Sequence, residues 1–306
     1  VPDFGSEGIG DTRISSRHVE VQLDGDELAV DDLQSKNGVL FNERRLSKVR
    51  LLDGQAMQIG STFLVFRRDA SPTRVEGGML IGSGTAINRT RDRIGTVAGK
   101  AVAVSVTGPA GSEKDLVARE LHAKSGRAGE FVQFDLAATP APRQEAALFG
   151  ESGAWAAARG GTLFIEDLPR LGMPLQVRLA AALETQHPSD PRVVVALSPD
   201  FADRHSKGDV DPALFDRLAL AQVDCPPLRE RPEDLGALCR YCLTRSSYGR
   251  LGISSRLMWA LLRNPWPGEL RALERLLTNQ AMSAPRGSEF LDLNPTTDAF
   301  LEHQRR

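Results

Sequence analysis

Short runs in which apolar and polar residues trade places fill the first part of the chain. Val19-Glu-Val-Gln-Leu23 is among them and predicts a half-buried strand, as does the apolar run Phe63-Leu-Val-Phe66. Further along the pattern changes. Ala101 to Val106 is a continuous valine-rich stretch, as expected of a strand buried on both faces, and Leu116 to His122 has helical spacing. Arg192 to Leu197 is a second apolar strand. Between the two regimes, Arg67 to Gly78 is polar and contains Pro72 and a double glycine, which predicts a linker. From Pro232 to Pro285 the pattern is helical, interrupted at Pro265-Trp-Pro-Gly268, with Trp266 expected in a core.

Composition narrows the picture only a little. The chain has 306 residues, 41% hydrophobic and 25% charged, enough for two domains. A net charge of −2 argues against a broad basic face for nucleic acid. No apolar run reaches membrane-spanning length and no signal peptide is visible, so a cytoplasmic setting without a membrane partner is expected. Cys239 and Cys242 form a C-x-x-C with no second pair, and are expected as a packed helix face.

The segment with the most chemistry is Gly108-Pro-Ala-Gly-Ser-Glu-Lys-Asp115, set between the predicted strand and helix. In a loop of the form G-x-x-x-x-G-K, backbone N–H groups point at phosphates, the lysine neutralises charge, and the helix N-terminus adds its dipole. Gly108, Gly111 and Lys114 fit that scheme, with Ser112 and Asp115 beside them. Glu113 stands where a glycine is needed. A side chain there is expected to resist a positive φ, and its carboxylate to oppose the phosphates. ATP with Mg is therefore expected as a weak ligand.

Six blocks follow one another in order: Leu80-Ile-Gly-Ser83, Gly108 to Asp115, Ala147-Leu-Phe-Gly150, Gly160-Gly-Thr-Leu-Phe-Ile-Glu-Asp167, Pro226-Pro-Leu-Arg-Glu-Arg-Pro-Glu-Asp234 and Trp266-Pro-Gly-Glu-Leu-Arg271. From Met79 to about Pro285 the chain thus resembles the AAA+ domain of bacterial sigma-54-dependent transcriptional activators. The resemblance implies an α/β P-loop core over 79–228 and a small helical lid over 229–286. It also implies roles. Glu166 and Asp167 would be the acids that hold Mg²⁺ and polarise water, with Glu166 at the metal, but in the reverse of the family's order. Positional errors near 1 Å can cost about 10²-fold in rate, so hydrolysis is expected to suffer. Ser198 stands where the family has a water-orienting asparagine. Arg217 matches the second of two finger arginines and Asp211 replaces the first, while Arg271 matches the lid arginine that senses the γ-phosphate. Family members carry a long G-A-F-T-G-A insertion that touches sigma-54; here nine residues, Glu151 to Arg159, span that interval. Sigma-54 contact is therefore not expected, and Trp155 in the shortened loop is expected to be exposed. Two readings stay open: the domain binds nucleotide and barely turns it over, or it does not bind.

The N-terminal part supports a second resemblance. Ile14-Ser-Ser-Arg-His18, Asp32-Leu-Gln-Ser-Lys-Asn-Gly38, Phe41-Asn42, Leu52-Asp-Gly-Gln55 and Ile59-Gly60 are similar to a forkhead-associated (FHA) domain, a β-sandwich that reads phosphothreonine. The resemblance implies a sandwich over 1–68 and a linker over 69–78. It places Ser15 and Arg17 at the phosphate, Ser35 and Lys36 beside it, and Asn37 on the peptide backbone; His18 would brace the loops and Gly38 would be a turn glycine. The family's Gly-Arg pair would precede Val1, so the sandwich is expected to be incomplete at its N-terminus. The tail, 287–306, is expected to be too short and too poor in helical pattern for a helix-turn-helix, leaving no DNA-binding domain in this chain. The resemblances together imply a regulatory or signalling protein that contacts a phosphothreonine-containing partner through its FHA module, with a degenerate, hydrolysis-deficient AAA+ domain. The alternatives are an active ATP-dependent sigma-54 activator, and a non-catalytic subunit that joins an active homologue's ring and lends it Arg217 in trans; a homo- or hetero-oligomeric ring is thus an expected assembly.

Overall fold

The computed structural model describes residues 10–69, 78–185 and 187–305; the Val1 end of the sandwich and most of the linker expected at 69–78 lie outside them. The described residues gather into two compact units. One takes in residues up to 69, 81–85 and those from 228 onward, and the other 78–80 and 86–227.

The first unit opens with seven strands: β1 (Val19–Asp24), β2 (Glu27–Asp32), β3 (Val39–Phe41), β4 (Arg44–Leu46), β5 (Lys48–Leu51), β6 (Ala56–Ile59) and β7 (Thr62–Val65). They form two antiparallel sheets, ordered β1-β2-β5 and β4-β3-β6-β7. Val30, Val49 and Leu51 from one sheet meet Val39, Met57 and Ile59 from the other, which is the core that the alternation predicts. Asn42 and Glu43 both have positive φ, at 50° and 67°, as the two-residue hairpin between β3 and β4 requires.

The second unit carries α1 (Thr85–Val97), β8 (Val104–Thr107), α2 (Lys114–Lys124), β9 (Phe131–Asp135), α3 (Ala141–Phe149), α4 (Ala154–Ala157), β10 (Thr162–Glu166), α5 (Met173–Glu184), β11 (Arg192–Leu197), α6 (Phe201–Ser206), α7 (Pro212–Ala219) and β12 (Gln222–Asp224). Its sheet is parallel throughout, in the order β12-β8-β11-β10-β9. Every residue of β11 is buried. Val193 and Val195 face one core with Leu163, Leu179 and Leu214, while Val194 faces the other with Val104, Val106, Ile87 and Leu121. Cores on both faces are what turn these strands into continuous apolar runs. Arg192 is also buried, because its guanidinium donates to the carbonyls of Val97 (2.6 Å) and Ala98 (2.5 Å) at the end of α1. Burial draws its pKa down to about 10, so it is still charged at neutral pH.

The first unit resumes with α8 (Leu235–Arg245), β13 (Gly252–Ile253), α9 (Ser255–Leu262), α10 (Glu269–Ser283), β14 (Phe290–Leu291) and α11 (Pro295–Arg305). Leu238, Cys239, Cys242, Leu257, Leu261, Trp266, Leu273 and Leu277 share one core, and burial pushes the Cys239 thiol pKa up. The tail departs from expectation. Leu291 and Leu301 belong to that same core, and α11 is a helix of 11 residues. Its signal is positional rather than periodic: Asn294 accepts the Thr297 N–H (2.8 Å) and Pro295 opens the first turn.

Two of the sequence blocks meet in this unit. The Asp234 carboxylate accepts the N–H groups of Ser83 (2.7 Å) and Gly84 (2.8 Å), and pairs with buried Arg231 (3.1 Å), which donates to the Ile81 carbonyl. Gly82, at φ +107°, lies against Asp234 where a Cβ would collide with the carboxyl group. Among the described residues no helix is long and apolar enough to cross a membrane.

Candidate functional site

The phosphate loop leaves β8 and enters α2. Gly111 takes the positive φ, +86°. Gly108 lies against the Cys225 carbonyl and Ser112 Oγ, where a Cβ would be too close. Glu113 does not occupy a strained conformation, contrary to expectation: it sits at φ −83°, ψ 38° as the residue before α2, because the one left-handed position of this loop falls on Gly111. Its side chain is buried, at 5% exposure, and does not cap the helix. Lys114 Nζ turns back onto the carbonyls of Gly108 (2.8 Å) and Pro109 (2.6 Å), and Ser112 Oγ donates to the Pro109 carbonyl (2.9 Å). Asp115 lies in the first turn of α2, where the helix dipole favours an acid.

Glu166 ends β10, level with Asp135 on β9, and its Oε2 accepts from Gln133 Nε2 (2.8 Å). Asp167 follows in a left-handed conformation (φ 57°, ψ 40°) and faces Arg170 at 3.7 Å. The two acids therefore diverge, one held along the sheet edge and the other turned into the following 3-10 turn. Ser198 Oγ donates to the Asp200 carboxylate, whose pKa that bond and Arg204 hold below the usual range. On α7, Arg217 pairs with Glu184 (3.1 Å). Asp211 is the N-cap of that helix, its Oδ1 accepting the Leu214 N–H (2.9 Å). Arg271 is exposed on α10, in the first unit.

The interval Glu151 to Arg159 folds as the single turn α4. Trp155 is half-buried rather than exposed: it packs on the core beside Phe149, ring centroids 5.7 Å apart. The short connection holds the ring down, since it leaves too few residues to lift it away.

In the sandwich, the loop at 13–18 and the loop at 34–38 are tied together. His18 is buried; its Nδ1 accepts the Ser15 N–H (3.0 Å) and its Nε2 donates to the Gly38 carbonyl (3.0 Å). Ser15 Oγ accepts the Lys36 N–H (3.4 Å), and Asn37 Nδ2 donates to the Arg13 carbonyl (2.6 Å). The structure thus brings Ser15, Lys36 and Asn37 into one cluster, with Arg17 exposed on the first loop. Ser35 belongs to it as a brace: its buried Oγ accepts the Gly38 N–H (2.9 Å). One residue escaped the motifs. Arg45 on β4 reaches back across Gly38 and donates to the Ser35 carbonyl (3.2 Å). Only the hairpin register, which pairs Arg45 with Leu40, could have pointed to it.

Residues 7–60 match the FHA domain family and residues 81–228 match the Sigma-54 interaction domain family. The chain carries an FHA domain followed by a sigma-54 interaction domain. The C4-dicarboxylate transport transcriptional regulatory protein DctD of Rhizobium meliloti (strain 1021) is 33% identical over 242 residues, covering 70% of this chain and 53% of that protein. The anaerobic nitric oxide reductase transcription regulator NorR of Citrobacter koseri is 28% identical over 284 residues, 82% of this chain and 56% of its own. NtrX from Brucella abortus, crystallised with ADP, superposes with a TM-score of 0.65 at 27% identity, over 74% of this chain and 57% of that one. The chain spans about half the length of the curated relatives it matches.

Proposed function

We propose that this chain is a regulatory signalling protein and not a motor: its FHA domain reads a phosphothreonine-containing partner, and its sigma-54 interaction domain holds nucleotide weakly and turns it over negligibly. The phosphate loop carries this reading. A buried carboxylate at Glu113 stands at the helix N-terminus where phosphate oxygens need donors, and the Lys114 ammonium is engaged with the loop's own carbonyls. A triphosphate fits this loop poorly as it is folded. The acids support the same reading, because Glu166 is bonded to Gln133 and Asp167 points elsewhere.

For the FHA domain, Ser15, Arg17 and Lys36 offer hydroxyl, guanidinium and ammonium donors to a dianion, with Asn37 beside them for the peptide backbone. Titration with a phosphothreonine peptide library against the same peptides unphosphorylated tests that half; equal affinity for both would overturn it. For the other half, phosphate release is measured over a range of protein concentration, to allow for self-assembly. Turnover near 1 s⁻¹ or above, the usual range for enzymes, would show an intact motor.

A further inference from the structure

Strand β6 of the second sandwich sheet is buried on both faces, and a free-standing sandwich does not require that. In β6 all four residues, Ala56 to Ile59, are buried. Met57 and Ile59 face the sandwich core. Gln58 points the other way, paired across the strands with Phe63 on one side and Leu40 on the other, and directly opposite residues of antiparallel strands share a face. A glutamine on the outer face of a small sandwich is ordinarily solvated, yet Gln58 is 4% exposed.

What covers it is α9 of the same unit. Gln58 Oε1 accepts from Trp259 Nε1 (3.0 Å), and its Nε2 donates to Ser255 Oγ (3.2 Å) and to the Gly60 carbonyl (2.9 Å). Phe63 meets the Trp259 ring edge to face, centroids 5.2 Å apart. At the hairpin tip, Glu43 pairs with Arg263 (2.9 Å), and at the end of the sandwich Arg67 pairs with Glu233 (3.6 Å). The arrangement resembles a small specific interface: an aromatic anchor, a fully bonded buried amide, and ion pairs at the rim. Pulling the helix away exchanges the bonds from Gln58 to Trp259 and Ser255 for bonds to water and exposes the apolar ring faces of Phe63 and Trp259, so the rings carry most of the cost and the amide fixes the register.

We infer that the outer face of the β4-β3-β6-β7 sheet is an interaction surface whose partner is helix α9 of the same chain, so that the FHA domain and the helical region move as one body. Helix α9 shares its core with α10, which carries Arg271. The loop at 34–38 runs directly into β3 of the same sheet. The body that holds the phosphopeptide cluster is therefore the body that holds the lid arginine, and neither moves without the other.

Hydrogen exchange by mass spectrometry on the full chain tests this. Gln58→Ala with Phe63→Ala removes the sheet side of the contact without touching the sandwich core. Exchange across Ser255–Leu262 is expected to quicken on the order of tenfold, while β2 and β5 keep their protection. Unchanged exchange in α9 would overturn the inference, and so would loss of protection through β2 and β5, because Gln58 and Phe63 would then serve the sandwich itself. A second, surface-only test uses the rim. Glu43→Arg alone sets arginine against Arg263 and is expected to speed α9 exchange a few-fold; Glu43→Arg with Arg263→Glu restores the wild-type rate. If the single and the swapped variants exchange alike, the rim pair joins nothing and the inference fails.

Discussion

Glu113 is the side chain on which the nucleotide reading turns. The structure removes one of two objections to it, since φ at this position is ordinary. The electrostatic objection stands, and burial sharpens it: two like charges about 4 Å apart at an effective dielectric near 20 repel by roughly 4 kcal/mol before screening. Glu113→Gly is therefore expected to tighten a fluorescent ATP analogue by at least about tenfold in Kd, which corresponds to only ~1.4 kcal/mol of that repulsion. Adding Lys114→Ala should cancel the gain. If Glu113→Gly folds normally and binds no better, the pocket is closed by something other than this carboxylate. His18 gives a companion test in the sandwich. His18→Ala removes a donor and an acceptor that bridge two loops, and is expected to cost about 1–3 kcal/mol in urea unfolding; a change below ~0.5 kcal/mol would mean the loops hold without it. Both residues were legible in the sequence because a motif fixes their place. Arg45 was not, because its contact with Ser35 exists only once the β3–β4 hairpin has set its register. For Ser35 the sequence names a hydroxyl but not the direction in which it bonds, and here it bonds inward to the Gly38 N–H.

Helix α7 gives Asp211 a structural role. The resemblance expects a finger arginine at this position; the structure has Asp211 capping the helix. Asp211→Ala is expected to cost about 1 kcal/mol, the usual worth of an N-cap, and Asp211→Arg at least as much, since arginine cannot accept the Leu214 N–H. Urea unfolding of the three proteins is the measurement, and an Asp211→Arg variant as stable as the wild type would show that the cap contributes nothing. Restoring the family's arginine therefore destabilises this helix. Among the other elements, legibility followed burial. β8 and β11, covered on both faces, announce themselves as apolar runs. Helix α11 does not, because Leu301 is the only large apolar side chain it buries, and one residue makes no period. For α4 the length of the segment is legible, but not that Trp155 packs against Phe149.

Taken as one protein, the chain joins an FHA domain to a sigma-54 interaction domain in which the side chains expected to meet nucleotide bond to their own neighbours. Lysine bonds its own loop, one acid bonds a glutamine, and the arginine on α7 bonds Glu184. These are separate changes, so repairing the chemistry should not restore mechanical output. The resemblance implies that output needs a loop reaching sigma-54, and here α3 runs through the single turn of α4 straight into β10. The expected outcome is that Glu113→Gly combined with Glu166→Asp and Asp167→Glu binds nucleotide better yet retains no sigma-54 when nucleotide is trapped with a transition-state analogue. Replacing Glu151 to Arg159 by a G-A-F-T-G-A loop is the converse arm, and it sacrifices the packing of Trp155, so its stability is checked first. Sigma-54 held by the chain with its own nine residues in place would locate the contact elsewhere. That result would overturn the reading of this domain as a platform without a lever.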